Sequence, residues 1–501
     1  MIEEMLKMLE VGKPVSTYPR CLAKMALYVS AVVSGFRLCP PNRIVERTLA
    51  AVPLFRLTTH PNAKKVMDRR PAINDFVRGI LLLVLFAAMQ SDSNAQPAAT
   101  KTREAVNIMW RFDGNGHFPD IHPVTEWSKE KNILWKTPVD VGAFSSPIVV
   151  RDKVFVTAEK GSLLCLDLAD GKLLWTKDLF SEDSKDIPAE MSKKLMRGSG
   201  GDSKESTPTP TSNGELVFYI NAMGLCACFD LQGNQKWIRI IETAQDEEHF
   251  TSSPIFVGDR IIVSWGCLLA LDAKDGHTTW KASEAKASHG TAVIAKIGGE
   301  NVVVTPAGDI IRPANGEVLG SGLFASKYST PLIEGNVLYV IDTKARALEL
   351  PAKAEKGMRL QELWKSEING EFMASPTIMD GLIYTIESQK ARLHIIEAKT
   401  GKVRTTTKVV DENTKAEKLE SGLKIAGLTA AQYIYASPVA TDKNVFFFDD
   451  AGNTAVLELG REHKLVRINK LEDGIVGTPF FVKDKIIFRG TKAVYCVGEK
   501  R

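Results

Sequence analysis

Short apolar runs separated by polar turn residues recur from about residue 133 to the end of the chain. In the stretch 145–175, SSPIVVRDKVFVTAEKGSLLCLDLADGKLLW, residues 148–150, 154–157 and 163–166 are rich in Val, Leu and Ile, and polar residues punctuate them at 151–153 and 159–162. Asp167-Leu-Ala-Asp-Gly171 predicts a tight turn, and residues 172–175 open a fourth strand that carries Trp175. One four-stranded sheet of this size cannot cover both of its faces. The pattern therefore predicts stacking against copies of itself.

Those copies are present. A Ser/Thr-Pro opening occurs at Ser146-Pro147, Thr207-Pro208, Ser253-Pro254, Thr330-Pro331, Ser375-Pro376, Ser437-Pro438 and Thr478-Pro479, with a degenerate copy at Gly290-Thr291-Ala292. With Ala292 as the eighth anchor the spacings are 61, 46, 38, 39, 45, 62 and 41 residues. A period near 40–45 with about four strands per unit is the mark of a β-propeller. The expected fold is all-β: an eight-bladed β-propeller of four-stranded antiparallel blades.

The blade ending repeats too, as Asp167…Gly171…Trp175, Asp230…Gly233…Trp237, Asp272…Gly276…Trp280, Asn315-Gly316…Leu319 and Glu397…Gly401. Gly accepts φ > 0 in such a turn, Asp bonds nearby backbone N–H groups, and Trp supplies a flat surface for the next blade. With these openings and endings the chain resembles the pyrroloquinoline-quinone-type (PQQ-like) β-propeller repeat. Its segment Trp110-Arg-Phe-Asp-Gly-Asn-Gly-His-Phe-Pro119, followed by Glu126-Trp127 and Asn132-Ile-Leu-Trp135-Lys-Thr-Pro138, is similar to the start of exported bacterial PQQ-like repeat proteins. The resemblance spans residues 110–497 and also relates the chain to the propeller lipoprotein of outer-membrane assembly, which works by protein contact.

Residues 132–139 (NILWKTPV) match a fourth, Trp-bearing strand but stand before the first anchor, whereas the last unit, 478–497, shows only three strands. The N-terminal strand is thus expected to pair with residues 493–497 and close the ring, removing an exposed sheet edge. Two connections are long, 176–206 between blades 1 and 2 and 405–435 between blades 6 and 7. Both join an outer strand to the next inner strand, so both are expected on one face, with Leu428, Tyr433 and Tyr435 offering apolar contact to a protein partner. An insertion at 351–362, inside blade 5, is expected on the opposite face.

Charge changes the picture of the N-terminus. The net charge is +4, but residues 1–95 hold 13 Lys/Arg and 7 Asp/Glu, leaving 51 and 53 in the remainder. That balance has no nucleic-acid footprint. Residues 67–78 are basic, 79–89 (GILLLVLFAAM) are apolar, and Ser93-Asn94-Ala95 is a small-x-small site, the three parts of a signal peptide in order. Eleven apolar residues are too few to span a bilayer. The expected organisation is an upstream extension at 1–66, a signal peptide at 67–95 cleaved after Ala95, a leader at 96–131 and the propeller at 132–501. Met67 is then the true start; the other reading gives the apolar residues 23–36 a role of their own. No Cys follows the apolar run, so a lipid anchor is not expected. The mature chain is expected to be a periplasmic or secreted monomer without a transmembrane segment.

Candidate chemistry is sparse. Five cysteines follow the signal: Cys165, Cys226, Cys228, Cys267 and Cys496. Cys165, Cys228 and Cys496 share one blade position, which calls for a small apolar side chain. Stacked sheets lie about 10 Å apart, beyond the reach of a disulfide, so core packing is expected; a metal or redox pair at Cys226 and Cys228 is the alternative. His117 and His122 flank Asp120, but no third ligand is apparent, so a surface loop is expected and a metal site is the alternative. His289 is expected to substitute for a repeat Ser, and Glu247-Glu248-His249 to form a solvated loop near an inner strand, with a role in the central funnel as the alternative. PQQ-dependent dehydrogenases resemble one another in a disulfide between adjacent cysteines, a Ca²⁺ site and a catalytic Asp. This chain has no Cys-Cys pair, so no catalytic, cofactor-binding or metal residue is assigned and PQQ is not expected. The expected function is a non-catalytic protein-binding or scaffolding platform acting through the loop face. The alternatives are an oxidoreductase using PQQ or another small molecule in the central funnel, and polysaccharide or peptide binding by the loop face.

Overall fold

Each repeat folds as the sequence pattern demands, with three inner strands buried on both sides and an outer strand half in solvent. In blade 1 the strands are Ile148–Val150, Lys153–Ala158, Ser162–Asp167 and Leu173–Asp178, hydrogen-bonded in that order and antiparallel. The first three are nearly continuous apolar runs because a neighbouring blade covers each face, whereas Leu173 and Leu174 on the outer strand are exposed. Eight such sheets form an eight-bladed β-propeller in this computed structural model. The chain divides at residue 101/102, and the propeller lies in the second unit. The structure describes residues 107–500, apart from 140–143, 159–160, 180–183, 192, 194–207, 222–223, 242–251, 287, 405–415, 420–421, 426 and 461–462. The upstream extension, the signal peptide, Glu247-Glu248-His249 and most of the first long loop lie outside the described residues.

The ring closes as expected. Ile133–Pro138 is the outer strand of the last blade and runs antiparallel to Ala493–Val497, with Trp135 opposite Cys496. Trp135 reaches the next blade, where its indole N–H donates to the Leu168 carbonyl at 3.0 Å. Trp175, Trp237, Trp280 and Trp364 do the same to Leu231, Ala273, Pro313 and Ala398. The repeat glycines explain themselves here. A Cβ on Gly171 would stand 2.5 Å from the Trp135 ring, and one on Gly276 2.4 Å from Trp237. The residue opposite the Trp on the third strand is small in each case: Cys496, Cys165, Cys228, Ala270 and Ala347.

Two blades depart from the pattern. In blade 4 the third and fourth strands, Ile310–Ile311 and Val318–Gly320, hold two and three residues, against six and seven in blade 5 at Lys344–Glu349 and Gln361–Glu367. The insertion in blade 5 covers part of the deficit. Met358 and Leu360 pack into the core between blades 4 and 5, and the Gly357 N–H donates to the Leu319 carbonyl at 2.8 Å. In blade 6 the outer strand is interrupted. Val403–Arg404 pairs with Ile395 and Ile396, the chain leaves, and Gly422–Ile425 returns to pair with Arg392 and Leu393. Residues 416–419 form a further strand outside it. The expectation of one long loop over 405–435 is corrected accordingly. Strands at Ala416–Leu419 and Gly422–Ile425 therefore interrupt the stretch expected to be a single loop.

Candidate functional site

In seven of the eight anchors the Ser/Thr hydroxyl accepts a bond from the preceding blade. The backbone N–H of Ser146 donates to Thr209 Oγ1, Thr209 to Ser253, Ser253 to Thr291, Thr291 to Thr330, Thr330 to Ser375, Ser375 to Ser437 and Ser437 to Thr478, at 2.8–3.1 Å. This ring of buried hydroxyls around the axis is why the repeat needs Ser or Thr. It also corrects two assignments. The blade 2 anchor is Thr209-Pro210, two residues later than expected, and Thr291 takes the Ser position of blade 4, so His289 does not substitute for it.

The leader fills one end of the channel inside this ring. Ile108 exchanges backbone bonds with Ser212 at 2.8 Å, and residues 116–118 pair with Ala440 at 2.9 Å. The Asn115 amide bonds both backbone groups of Ile333, and the Asn107 amide donates to the Phe256 carbonyl. Backbone on the channel side of inner strands is thereby satisfied, as buried backbone must be. Met109 and Phe112 bond each other, which puts Trp110 and Arg111 at a turn tip with φ of 56° at Arg111 and 65° at Phe112. Arg111 is 2 % exposed, and its Nη2 donates to Asn115, Pro376 and Pro438 carbonyls at 2.9, 2.7 and 3.1 Å. Burial lowers its guanidinium to about 9, partly offset by the Asp113 charge.

The other end of the channel is collared by aromatic rings. Leader contacts at Ser212, Phe256, Ile333 and Ala440 fall at the middle or end of the inner strands, so residues just before the anchors stand toward the opposite mouth. Phe144, His289, Tyr328 and Tyr435 each precede an anchor by two positions. Phe144 and Tyr435 meet edge-on at 5.5 Å, Tyr433 lies 6.1 Å from Tyr435, and His289 lies 5.3 Å from Tyr328, which also carries the Lys327 ammonium at 4.9 Å. Burial, and then the fields of Tyr433, Asp450, Glu371 and Tyr328, raise the Tyr435 phenol. The loop bearing these tyrosines is pinned: Asp449 accepts from Thr429, Asp450 from Ala431 and Gln432, and Ser388 from Ile434, at 2.8–2.9 Å. Leu428, expected at the rim, is instead buried in the core between blades 6 and 7. A rigid, half-buried tyrosine surface suits contact with a protein, because little side-chain entropy is lost on binding.

The other sequence candidates resolve into structure. Cys165, Cys226, Cys228, Cys267 and Cys496 are free and buried, and burial pushes every one of these thiols up, Cys165, Cys228 and Cys496 to about 12. That favours the inert thiol over the thiolate that metal or redox chemistry uses. His117 stands 3.7 Å from Asp442, and His122 is exposed. Among the described residues, the only His/Cys/Asp/Glu group close enough to share a metal ion is Asp272, Asp275 and His277, which sit in the exposed blade 3 turn.

Blade topology and the anchor bonds together define a PQQ-like repeat propeller. The family model described as outer membrane protein assembly factor BamB matches residues 123–264 and 202–407, together more than half of the chain. The chain belongs to this family. The outer membrane protein assembly factor BamB of Moranella endobia (strain PCIT) is 25% identical over 369 residues, 69% of this chain and 82% of that protein. That of Legionella pneumophila (strain Paris) is 25% identical over 203 residues, 40% of this chain and 48% of that protein. Among solved structures, BamB from Moraxella catarrhalis superposes with a TM-score of 0.50 at 10% identity, covering 72% of this chain and 98% of that one. A europium-containing methanol dehydrogenase gives 0.54 at 11% identity over 77% and 90%. At these identities the likeness shows the shared fold alone. Among the described residues no helix is long and apolar enough to cross a membrane.

Proposed function

We propose that this chain is an exported, monomeric, non-catalytic platform of outer-membrane protein assembly, and that its partner protein docks on the collar face. The observation that carries this is the collar itself, with Phe144, Tyr433, Tyr435 and Tyr328 held by a rigid ring on the face where the inter-blade loops emerge. Family membership supports an assembly role, and the names of the relatives supply its setting in the cell envelope. A quinone or other small molecule at the axis is the weaker reading, because residues 107–118 already occupy that end of the channel.

The test is to replace Tyr433 and Tyr435 with Ser and measure capture of outer-membrane assembly proteins from envelope extract. Truncating aromatic anchors of this kind costs about 2 kcal/mol or more each. Capture is therefore expected to fall at least about tenfold with the melting temperature retained. Undiminished capture by the folded variant removes this face from the interaction. Stoichiometric uptake of PQQ in a calorimetric titration with Ca²⁺ would restore the oxidoreductase reading.

A further inference from the structure

The cleft between blades 4 and 5 holds a charged cavity that the collar does not use. Because the outer strands of blade 4 are so short, the blade 5 side chains facing them go uncovered on one side of the insertion. The cavity has a volume of about 150 Å³ and is lined by Ala325, Asp342, Thr343, Lys344, Arg346, Glu362 and Lys365. Arg346 and Lys365 stand directly opposite each other on adjacent antiparallel strands. Like charges so placed repel. The Lys344 side chain is held by Glu367 at 3.4 Å, whereas the side chains of Arg346 and Lys365 have no ion pair or hydrogen bond among the described residues. Arg346 is half-buried and Lys365 exposed. Asp342 and Thr343 form the hairpin between the second and third strands of blade 5, and such hairpins lie on the same face as the collar.

We propose that this cavity binds the carboxylate of an acidic side chain presented by the partner protein. The proposal rests on the reading of this face as a protein-docking surface and names the chemistry that docks there. A carboxylate between Arg346 and Lys365 replaces their repulsion with two charge-assisted contacts, and the planar guanidinium can take both of its oxygens. Asp342 and Glu362 on the same wall narrow the choice. They form no ion pair with either cation, so they leave the site open, but they repel a group carrying more than one negative charge. That favours a carboxylate over a phosphate. At about 30 Å³ per water the cavity has room for several waters, or for one carboxylate and the carbons that carry it.

An end-capped peptide carrying one glutamate among neutral residues and inorganic phosphate, titrated calorimetrically into the full chain at low and physiological salt, test this directly. The glutamate peptide is expected to bind at one site per chain, to weaken as salt rises, and to bind at least about tenfold more tightly than phosphate. Arg346→Met is expected to weaken it at least about tenfold, and Arg346→Lys to recover only part of the loss because the bidentate fork is gone. An absent signal from the glutamate peptide, equal binding of phosphate, or an Arg346→Met variant that binds as the parent does would each overturn the proposal. The Tyr433→Ser and Tyr435→Ser variants are expected to bind the glutamate peptide unchanged, which separates a failure here from a failure of the collar reading.

Discussion

Single residues in this propeller do one of two jobs, bonding blade to blade or filling the space between blades, and two histidines do the second at a cost. His394 lies against Phe372 at 5.4 Å, and His463 against Tyr384 at 5.6 Å. All four of their ring nitrogens are buried without a hydrogen-bond partner. Burial, with the Arg392 charge adding to it, lowers His394 to about 4, and burial with Arg404 lowers His463. A histidine depressed in the fold is neutral there while the unfolded chain takes up a proton below about 6.5. Its stabilising contribution is complete above that pH and is lost as pH falls toward the folded value. For His394 that loss is on the order of 3 kcal/mol. Melting temperature is expected to drop between about pH 6.5 and 4, and His394→Leu to flatten that drop. An unchanged pH profile in the variant would mean that His394 does not titrate with unfolding. Neither histidine is conspicuous in the sequence, since each stands where a blade interface takes any residue of suitable size.

At the scale of elements the repeat was legible wherever it reports a local need. The Asp…Gly…Trp ending marks a turn and its wedge, and residues 132–139 could be placed in the last blade because they carry that ending without a blade of their own. Trp135→Ala is expected to destabilise the propeller by about 3–5 kcal/mol. Its indole packs on Gly171 and bonds Leu168, so the loss falls on the joint between the last blade and the first. Urea denaturation checks this, and a variant with an unshifted midpoint would mean that the joint does not depend on the wedge. What was not legible depends on partners far away in sequence. Thr207-Pro208 and Thr209-Pro210 are equivalent as text, and the bonds of Thr209 with Ser146 and Ser253 decide between them. The blade 6 excursion hides inside an ordinary polar stretch. The cleft beside blade 4 arises from strands that are missing residues, which leaves no motif to read.

For the whole molecule, the central observation is an axis with two different ends. One is stopped by the chain's own leader, which bonds inner strands of blades 2, 3, 5 and 7 and places a buried Arg111 beneath the anchors. Sequence reading recognised that leader as a segment but not as a plug, because its contacts are backbone and amide bonds to strands 100 to more than 300 residues away. The other end presents the collar and, at its margin, the Arg346 cleft. The proposed working surface is that second face. Photo-crosslinking within the native cell tests this most directly, with a photoreactive residue at Tyr433 or Lys327 on the collar face and at Asp170 or Lys399 in blade turns on the opposite face. The result expected is one protein species crosslinked from both Tyr433 and Lys327 and absent from Asp170 and Lys399. Crosslinks from Asp170 and Lys399, with Tyr433 and Lys327 silent, would contradict it.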